Sequence, residues 1–434
     1  MANRYLVLPL LVLLTAAPSL ARAQPGAVAA ATAAASASTV RHDAFVAQVL
    51  AANVELAAQR ANVPIAEAQM AVARIFPDPT LTVGVASVDL SRNGSPTATT
   101  LGLGYTFELG GKRSSRVAAA RSDWAAAQAD LDDFLRTLRA NATNGFVDSL
   151  YTRLVLDRKQ QTLKSLEKLV GVNEQRLRAG DVGKVALTQS RVEAQRFRGE
   201  VVVAEAEVEA ADLALALHAG ATQAGRRLSP LGDLKLKPRT FDVEALIAQG
   251  KANRPDLTSK RRAAESASER VGLARANRWI DLTLNVSWQH TFRGTQTFTA
   301  DPFDALAATA TVPIPLSKAY RGELDAALAR EGQSRTTVQA ASLRIEIEIR
   351  QAHARYRAAA ARLGLYTGGL LSDADQVLEA TLYNYQKGGA SLLEVLDAQR
   401  TQNDVYLAYY AALADNARAL VALEEAAGIW DVEL

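Results

Sequence analysis

The stretch Thr100-Leu-Gly-Leu-Gly-Tyr-Thr-Phe-Glu-Leu109 changes period at Gly110-Gly111, and from Lys112 onward the chain runs to residue 229 without a proline. Up to Leu109 the residues alternate. Leu101, Leu103, Tyr105, Phe107 and Leu109 share one face, while Gly102, Gly104, Thr106 and Glu108 share the other, the two-residue period of a strand. Beyond the glycines the chain is rich in Ala, Leu, Arg, Glu and Gln and predicts a helix over about 112–179. Leu156, Leu163, Val170 and Leu177 recur every seven residues, with Leu166 between them and Arg158, Lys159, Lys164 and Glu167 on other faces. That spacing is a coiled-coil stripe. A helix of that length would span about 100 Å, too long for a single globular core.

Comparing the chain with itself shows the unit twice. At an offset of 201, Ala44, Gln48, Leu56 and Arg60 meet Ala245, Gln249, Leu257 and Arg261; at 208, Gly180 meets Gly388 and Gly220 meets Gly428. Repeat 1 covers 41–220 and repeat 2 covers 242–430, joined by an equatorial linker at 221–241. Each opens with a helical stretch, 43–76 or 242–278, followed by two strands, about 79–90 and 100–109 or about 280–292 and 303–314. A long helix, 112–179 or 317–387, then leads to a glycine turn near 180 or 388 and a returning helix. Pro64 should kink the first stretch. Helix 54–76 and the returning helix 182–219 have the combined length to stack end to end beside the long helix. Asn93-Gly-Ser-Pro96 and Arg293–Pro302 are hairpin-type connections.

The N-terminus is a targeting segment. Arg4, the apolar run Tyr5–Leu14 and Ala21-Arg22-Ala23 read as a signal peptide over 1–23, with an apolar run too short to span a bilayer. Residues 24–40 form a low-complexity linker. Without the leader the chain carries 47 basic and 46 acidic residues, so its charge points to no nucleic-acid partner. The absence of Cys excludes disulfides, thiolate metal sites, Cys nucleophiles and a lipidated N-terminal Cys. His42, His218, His290 and His353 lack metal-ligand spacing. Neither a resident metal nor a cofactor is expected, and no catalytic constellation points to an enzyme.

Strands of 10–12 residues with one apolar face match transmembrane β-strands, and Phe76, Tyr105, Phe107, Trp279, Trp288, Phe292 and Phe303 lie in or beside them, where interfacial aromatics belong. Four strands cannot close a barrel, and open edges are not tolerated in lipid. Copies must therefore pool their strands. The fold class expected is mainly α with transmembrane β, built from two repeats, each a long helical hairpin with a two-strand insertion.

Tyr385-Gln-Lys-Gly388-Gly-Ala-Ser391-Leu-Leu-Glu394-Val-Leu-Asp397 is similar to the periplasmic tip motif of the TolC-like outer-membrane efflux ducts. Phe107-Glu-Leu-Gly-Gly-Lys-Arg113 looks like the branch serving heavy-metal cation exporters of the cobalt–zinc–cadmium type. The resemblance covers about 41–430. It implies a homotrimer with a twelve-stranded β-barrel on an α-helical barrel, embedded in outer-membrane lipid and docked on a periplasmic adaptor and a proton-driven inner-membrane pump. Its cargo would be divalent heavy-metal cations. A duct for drugs or organic solutes and a soluble periplasmic long-hairpin protein are the alternatives. Carried over by position, Glu394 and Asp397 line a pore constriction, while Tyr385, Gly388 and Gly180 serve tip gating and adaptor contact. Glu394 also fits a capping box with Ser391, a local role compatible with either reading.

Overall fold

The structure is a computed structural model describing residues 38–87, 97–220, 227–293, 301–314 and 319–431. The leader, most of the 24–40 linker, the turn at Asn93–Pro96 and the middle of the 293–302 connection lie outside the described residues. The element order is β1 (Ser38–Arg41), α1 (His42–Ala52), α2 (Val54–Arg60), α3 (Asn62–Ala73), β2 (Thr80–Ser87), β3 (Thr97–Phe107), α4 (Lys112–Ala179) and α5 (Lys184–His218). There follow β4 (Leu228–Leu231), α6 (Val243–Asn253), α7 (Pro255–Ala276), β5 (Leu282–Thr291), β6 (Phe303–Thr311), α8 (Ala319–Leu365), α9 (Leu371–Gln386) and α10 (Leu392–Ala427). The order helix, two strands, long helix and returning helix thus occurs in both halves.

Several sequence expectations change here. Residues 38–40, read as linker, enter β1, which pairs in parallel with β4 inside the 221–241 linker. Neither four-residue segment alternates enough to be read as a strand, and β4 contains Pro230. The strands also shift: β3 begins at Thr97, where its ladder with β2 and β5 starts, and β5 and β6 end one and three residues earlier than expected, while the expected end of β2 at 88–90 lies outside the described residues. The first helical stretch is three helices. Asn53 is extended and its side-chain oxygen accepts the Leu56 N–H at 2.9 Å, an N-cap that starts a new helix. The second break falls at Ala61, three residues before Pro64, which has no N–H for the Arg60 carbonyl.

The second long helix is not continuous. α8 and α9 are separated by a π-turn over Tyr366–Leu370, in which Gly369 has φ 129°. Gly368-Gly369 allows that conformation, whereas Gln160-Gln161 stands at the corresponding place in α4, which runs unbroken for 68 residues. The heptad stripe is rotated as well. Val155, Thr162, Leu166, Leu169 and Asn173 are buried, while Leu156, Leu163, Val170 and Leu177 are only half-buried. α4 packs against α3, α5, α7 and α10, so its most enclosed line is set by where these meet and not by the most apolar row.

Two apolar clusters hold the helices together. One gathers Phe45, Phe146, Leu215 and Leu413 from α1, α4, α5 and α10; the other gathers Leu257, Ile345, Ile349 and Leu423 from α7, α8 and α10. Each fully enclosed side chain of this size contributes about 1.5–3 kcal/mol.

The strands form one antiparallel sheet in the order β2-β3-β5-β6. Its register aligns Leu81, Leu103, Val286 and Ala308 on one face and Thr80, Gly104, Asn285 and Thr309 on the other. The apolar face stands uncovered in the single chain: Val83 is 71% exposed and Leu306 78%. β2 and β6 are edge strands, each paired on one side among the described residues.

The Phe107–Arg113 motif is the joint between sheet and helices. Gly110 and Gly111 take φ 75° and 77°, which turns the strand into α4. Arg116 clamps Glu108 through two bonds of 2.8 and 3.1 Å and also donates to the Ala73 and Ile75 carbonyls. Asp281 accepts from Lys112 Nζ at 2.7 Å and from the Leu109 N–H at 3.1 Å. Both strand pairs are thereby tied to the start of one helix.

Candidate functional site at the hairpin ends

The two hairpins end alike. At the end of α4, Gly180 has φ 86° and the Asp181 N–H reaches the Arg176 carbonyl at 2.9 Å. At the end of α9, Gly388 has φ 80° and the Gly389 N–H reaches the Asn384 carbonyl at 2.8 Å. Each is a left-handed helix stop of the kind glycine favours. No described atom lies within 4 Å of where a Cβ would stand on Gly180 or Gly388, so both turns are open to approach.

α10 begins with a complete capping box. The Ser391 N–H donates to Glu394 Oε2 at 2.7 Å, and the Glu394 N–H donates to Ser391 Oγ at 3.3 Å. Glu394 therefore has a local structural role while remaining exposed. Asp397, one turn on, is exposed and bonds to no described residue. Arg400 continues the same i, i+3 row but turns to Glu193 Oε1 on α5 at 3.0 Å, leaving Asp397 uncompensated by it. Ala186 and Gln189 occupy the corresponding places on α5, so this acidic pair belongs to the second hairpin alone.

Tyr385 is buried, 3% exposed, between the hairpins. Its hydroxyl donates to Asn173 Oδ1 at 2.5 Å, its carbonyl accepts from Arg176 Nη1 at 2.9 Å, and the Arg176 guanidinium lies 4.7 Å from its ring. Leu166, Leu169, Phe197, Val395 and Leu396 surround it. The structure thus brings Tyr385 to α4 of the same chain, and does not bring it into contact with Glu394 or Asp397. Tyr385→Phe is expected to cost about 1–3 kcal/mol, because it strips the hydrogen bond from fully buried Asn173, whose Nδ2 already has no partner. Adding Asn173→Leu should recover much of that loss in denaturant melts; an unchanged midpoint for Tyr385→Phe would contradict the bond.

Further along the hairpins lies a polar layer that the sequence pattern missed. Arg158 is buried, donates to Gln402 Oε1 at 2.6 Å and stacks 4.0 Å above the Tyr406 ring. Asp375 accepts from Gln402 Nε2 at 2.7 Å and from the Tyr406 hydroxyl at 2.8 Å. Burial pushes the Arg158 guanidinium below its usual range and the Tyr406 hydroxyl above its own. Thr162 Oγ1 donates to Asn403 Oδ1 at 3.1 Å nearby. α4, α9 and α10 are therefore matched by partner-specific bonds, which hold register more strictly than Leu–Leu contact. The signal available in the sequence is Asn173 at seven and eleven residues from Leu166 and Thr162, a helical row of which only Leu166 is apolar.

Among the described residues no cluster of His, Asp and Glu has the arrangement of a metal site, and no helix is long and apolar enough to cross a membrane. The sheet is the described part with an apolar surface suited to lipid.

The profile of the family described as "Outer membrane efflux protein" matches residues 45–221 and 246–429. The cobalt-zinc-cadmium resistance protein CzcC of Cupriavidus metallidurans is 24% identical to the chain over 378 residues, covering 87% of each. Among solved structures, CusC superposes with a TM-score of 0.74 at 19% identity, covering 90% of this chain and 92% of that one. The outer membrane protein VceC of Vibrio cholerae superposes with a TM-score of 0.72 at 21% identity, covering 89% and 96%.

Proposed function

The chain belongs to the outer membrane efflux protein family, a family of outer-membrane channels and not of enzymes, and we propose that it is the exit duct of a tripartite efflux system. Three copies pool their four-stranded sheets into a twelve-stranded barrel, and their helices form a tunnel beneath it. The duct docks at the hairpin ends on a periplasmic adaptor and a proton-driven inner-membrane pump, which supplies the energy. The observation that carries this reading is the sheet: an uncovered apolar face between two edges unpaired among the described residues is stable in lipid only when further copies close it. An outer-membrane channel replaces the soluble long-hairpin alternative.

The cargo we infer is divalent heavy-metal cations. Support comes from the likeness to a cobalt-zinc-cadmium resistance protein over most of both chains and from the Phe107–Arg113 motif. Glu394 and Asp397 would ring the constriction, drawing cations without tight binding. Tyr385 would hold the tip shut, with Gly180 and Gly388 giving the adaptor close approach. Deleting the gene in its host should lower tolerance to one or more of Zn2+, Co2+, Cd2+ and Ni2+ several-fold and leave tolerance to organic drugs unchanged. The opposite pattern would transfer the chain to the organic-solute ducts of the same fold. Conductance steps of the purified protein in planar bilayers test the channel itself, independently of cargo.

A further inference from the structure

Where the strands meet the helices, aromatic side chains stand uncovered: Trp279 is 66% exposed and Phe76 58%. Both stand beside the Phe107–Arg113 joint. The Trp279 side chain lies against Gly110, so closely that a Cβ there would fall 2.6 Å from it. Three residues on, the Arg113 guanidinium lies 4.0 Å over the Phe76 ring while its Nε donates to the Arg74 carbonyl at 2.8 Å. The patch continues the apolar face of the sheet through Phe107 and Leu109, both exposed.

Its charge is one-sided. Residues 73–80, 107–116 and 275–282 contain six basic and three acidic side chains. Glu108 and Asp281 are taken by Arg116 and Lys112. That leaves Arg74, Arg113, Arg275 and Arg278 against Asp78, and none of the four meets a carboxylate among the described residues. Arg275 and Arg278 are exposed and precede Trp279 by four residues and by one.

We propose that this collar binds the headgroup phosphate of anionic phospholipid in the periplasmic leaflet, with Arg113 and Arg278 facing the phosphate and Phe76 and Trp279 lying at the glycerol level. Aromatic rings settle at the membrane interface, and exposed arginines beside them add attraction for anionic over zwitterionic lipid. A second protein copy would be expected to bring carboxylates to these four arginines, and of the three acidic side chains in these segments Asp78 alone has no partner among the described residues. The inference rests on the sheet being the membrane-spanning part, and the test separates the two.

Full-length protein with Trp279 as its sole tryptophan, the other three being replaced by Phe, is reconstituted into vesicles containing phosphatidylglycerol or phosphatidylcholine brominated on the acyl chains. A matching protein retains Trp288 alone, on the sheet's apolar face. At low salt, quenching of Trp279 should favour phosphatidylglycerol by roughly five-fold for each arginine at the headgroup, and Trp288 should show a ratio near one. Arg113→Gln with Arg278→Gln should bring the Trp279 ratio close to one; Arg278→Gln alone, which removes no side-chain bond among the described residues, should lower it part of the way with helical circular dichroism unchanged. A Trp279 ratio of one in the parent, or a preference that survives both substitutions, overturns the proposal. Trp279 escaping both lipids while Trp288 is quenched would mean that the collar is covered by protein, and overturns it too. If Trp288 also escapes, the sheet itself is not in lipid and both readings fall.

Discussion

Glu394→Gln with Asp397→Asn is expected to lower the cation-over-anion permeability of the channel by about ten-fold, the lower end of what focused surface charge achieves in a confined cleft. The amides, unlike Ala, keep local structure. Gln at the third position of a helix still completes the capping box, so the bonds between Ser391 and residue 394 at 2.7 and 3.3 Å survive. The two acids should differ. Asp397 is exposed and bonds to nothing described, so its charge is available to the pore; part of the Glu394 carboxylate is already directed to the Ser391 N–H. Asp397→Asn alone should therefore account for more of the change than Glu394→Gln alone. Reversal potentials in a salt gradient across a planar bilayer read this directly. Equal selectivity in the parent and the double variant would remove both residues from the constriction.

Gly220→Ala is expected to destabilise the protein by about 3–5 kcal/mol, the sum of a strained left-handed backbone and forced overpacking. Gly220 follows α5 with φ 97°, and an added Cβ would lie 2.1 Å from the Ala52 carbonyl oxygen and 2.8 Å from its carbon. Ala52 closes α1, and the next residue, Asn53, donates its side-chain amide to the His218 carbonyl at 3.1 Å. The end of α5 is thus pressed onto a backbone that has bonds of its own and cannot retreat. Gly180→Ala is the control. Its φ of 86° is similar, but nothing described stands within 4 Å of the added carbon, so the cost should be only about 1–2 kcal/mol. Denaturant midpoints for the two variants should separate by more than the error of extrapolation. Matching losses would show that backbone strain, and not contact with Ala52, governs Gly220.

The contrast between those two glycines shows what could be read in advance. Each was visible as a stop with a counterpart in the other half, Gly180 with Gly388 and Gly220 with Gly428. Nothing in the sequence said that one faces Ala52 and the other open space, because that depends on where a segment 168 residues away in the chain arrives. The same limit applied to Tyr385. Its place in the motif at the hairpin end was legible, but its partner Asn173 lies 212 residues earlier and off the heptad row of Leu163, Val170 and Leu177. Arg158 lies off the apolar stripe, yet α10 supplies Gln402 and the Tyr406 ring to receive it.

Local chemistry by itself determined the strand alternation, the long proline-free helices, the glycine stops, the capping box at Ser391 and the order of elements in each half. All of these follow from neighbours within a few turns or pleats, where backbone preference and side-chain period act directly. The tertiary structure alone decided which row of α4 is buried, that Ser38–Arg41 pairs with Leu228–Leu231, that Glu108 and Asp281 are consumed in tying sheet to helix, and that Asp397 meets no partner among the described residues. Those outcomes depend on which distant groups meet. A polar side chain is buried only where another element brings it a partner, and the spacing of residues along one chain does not contain that information.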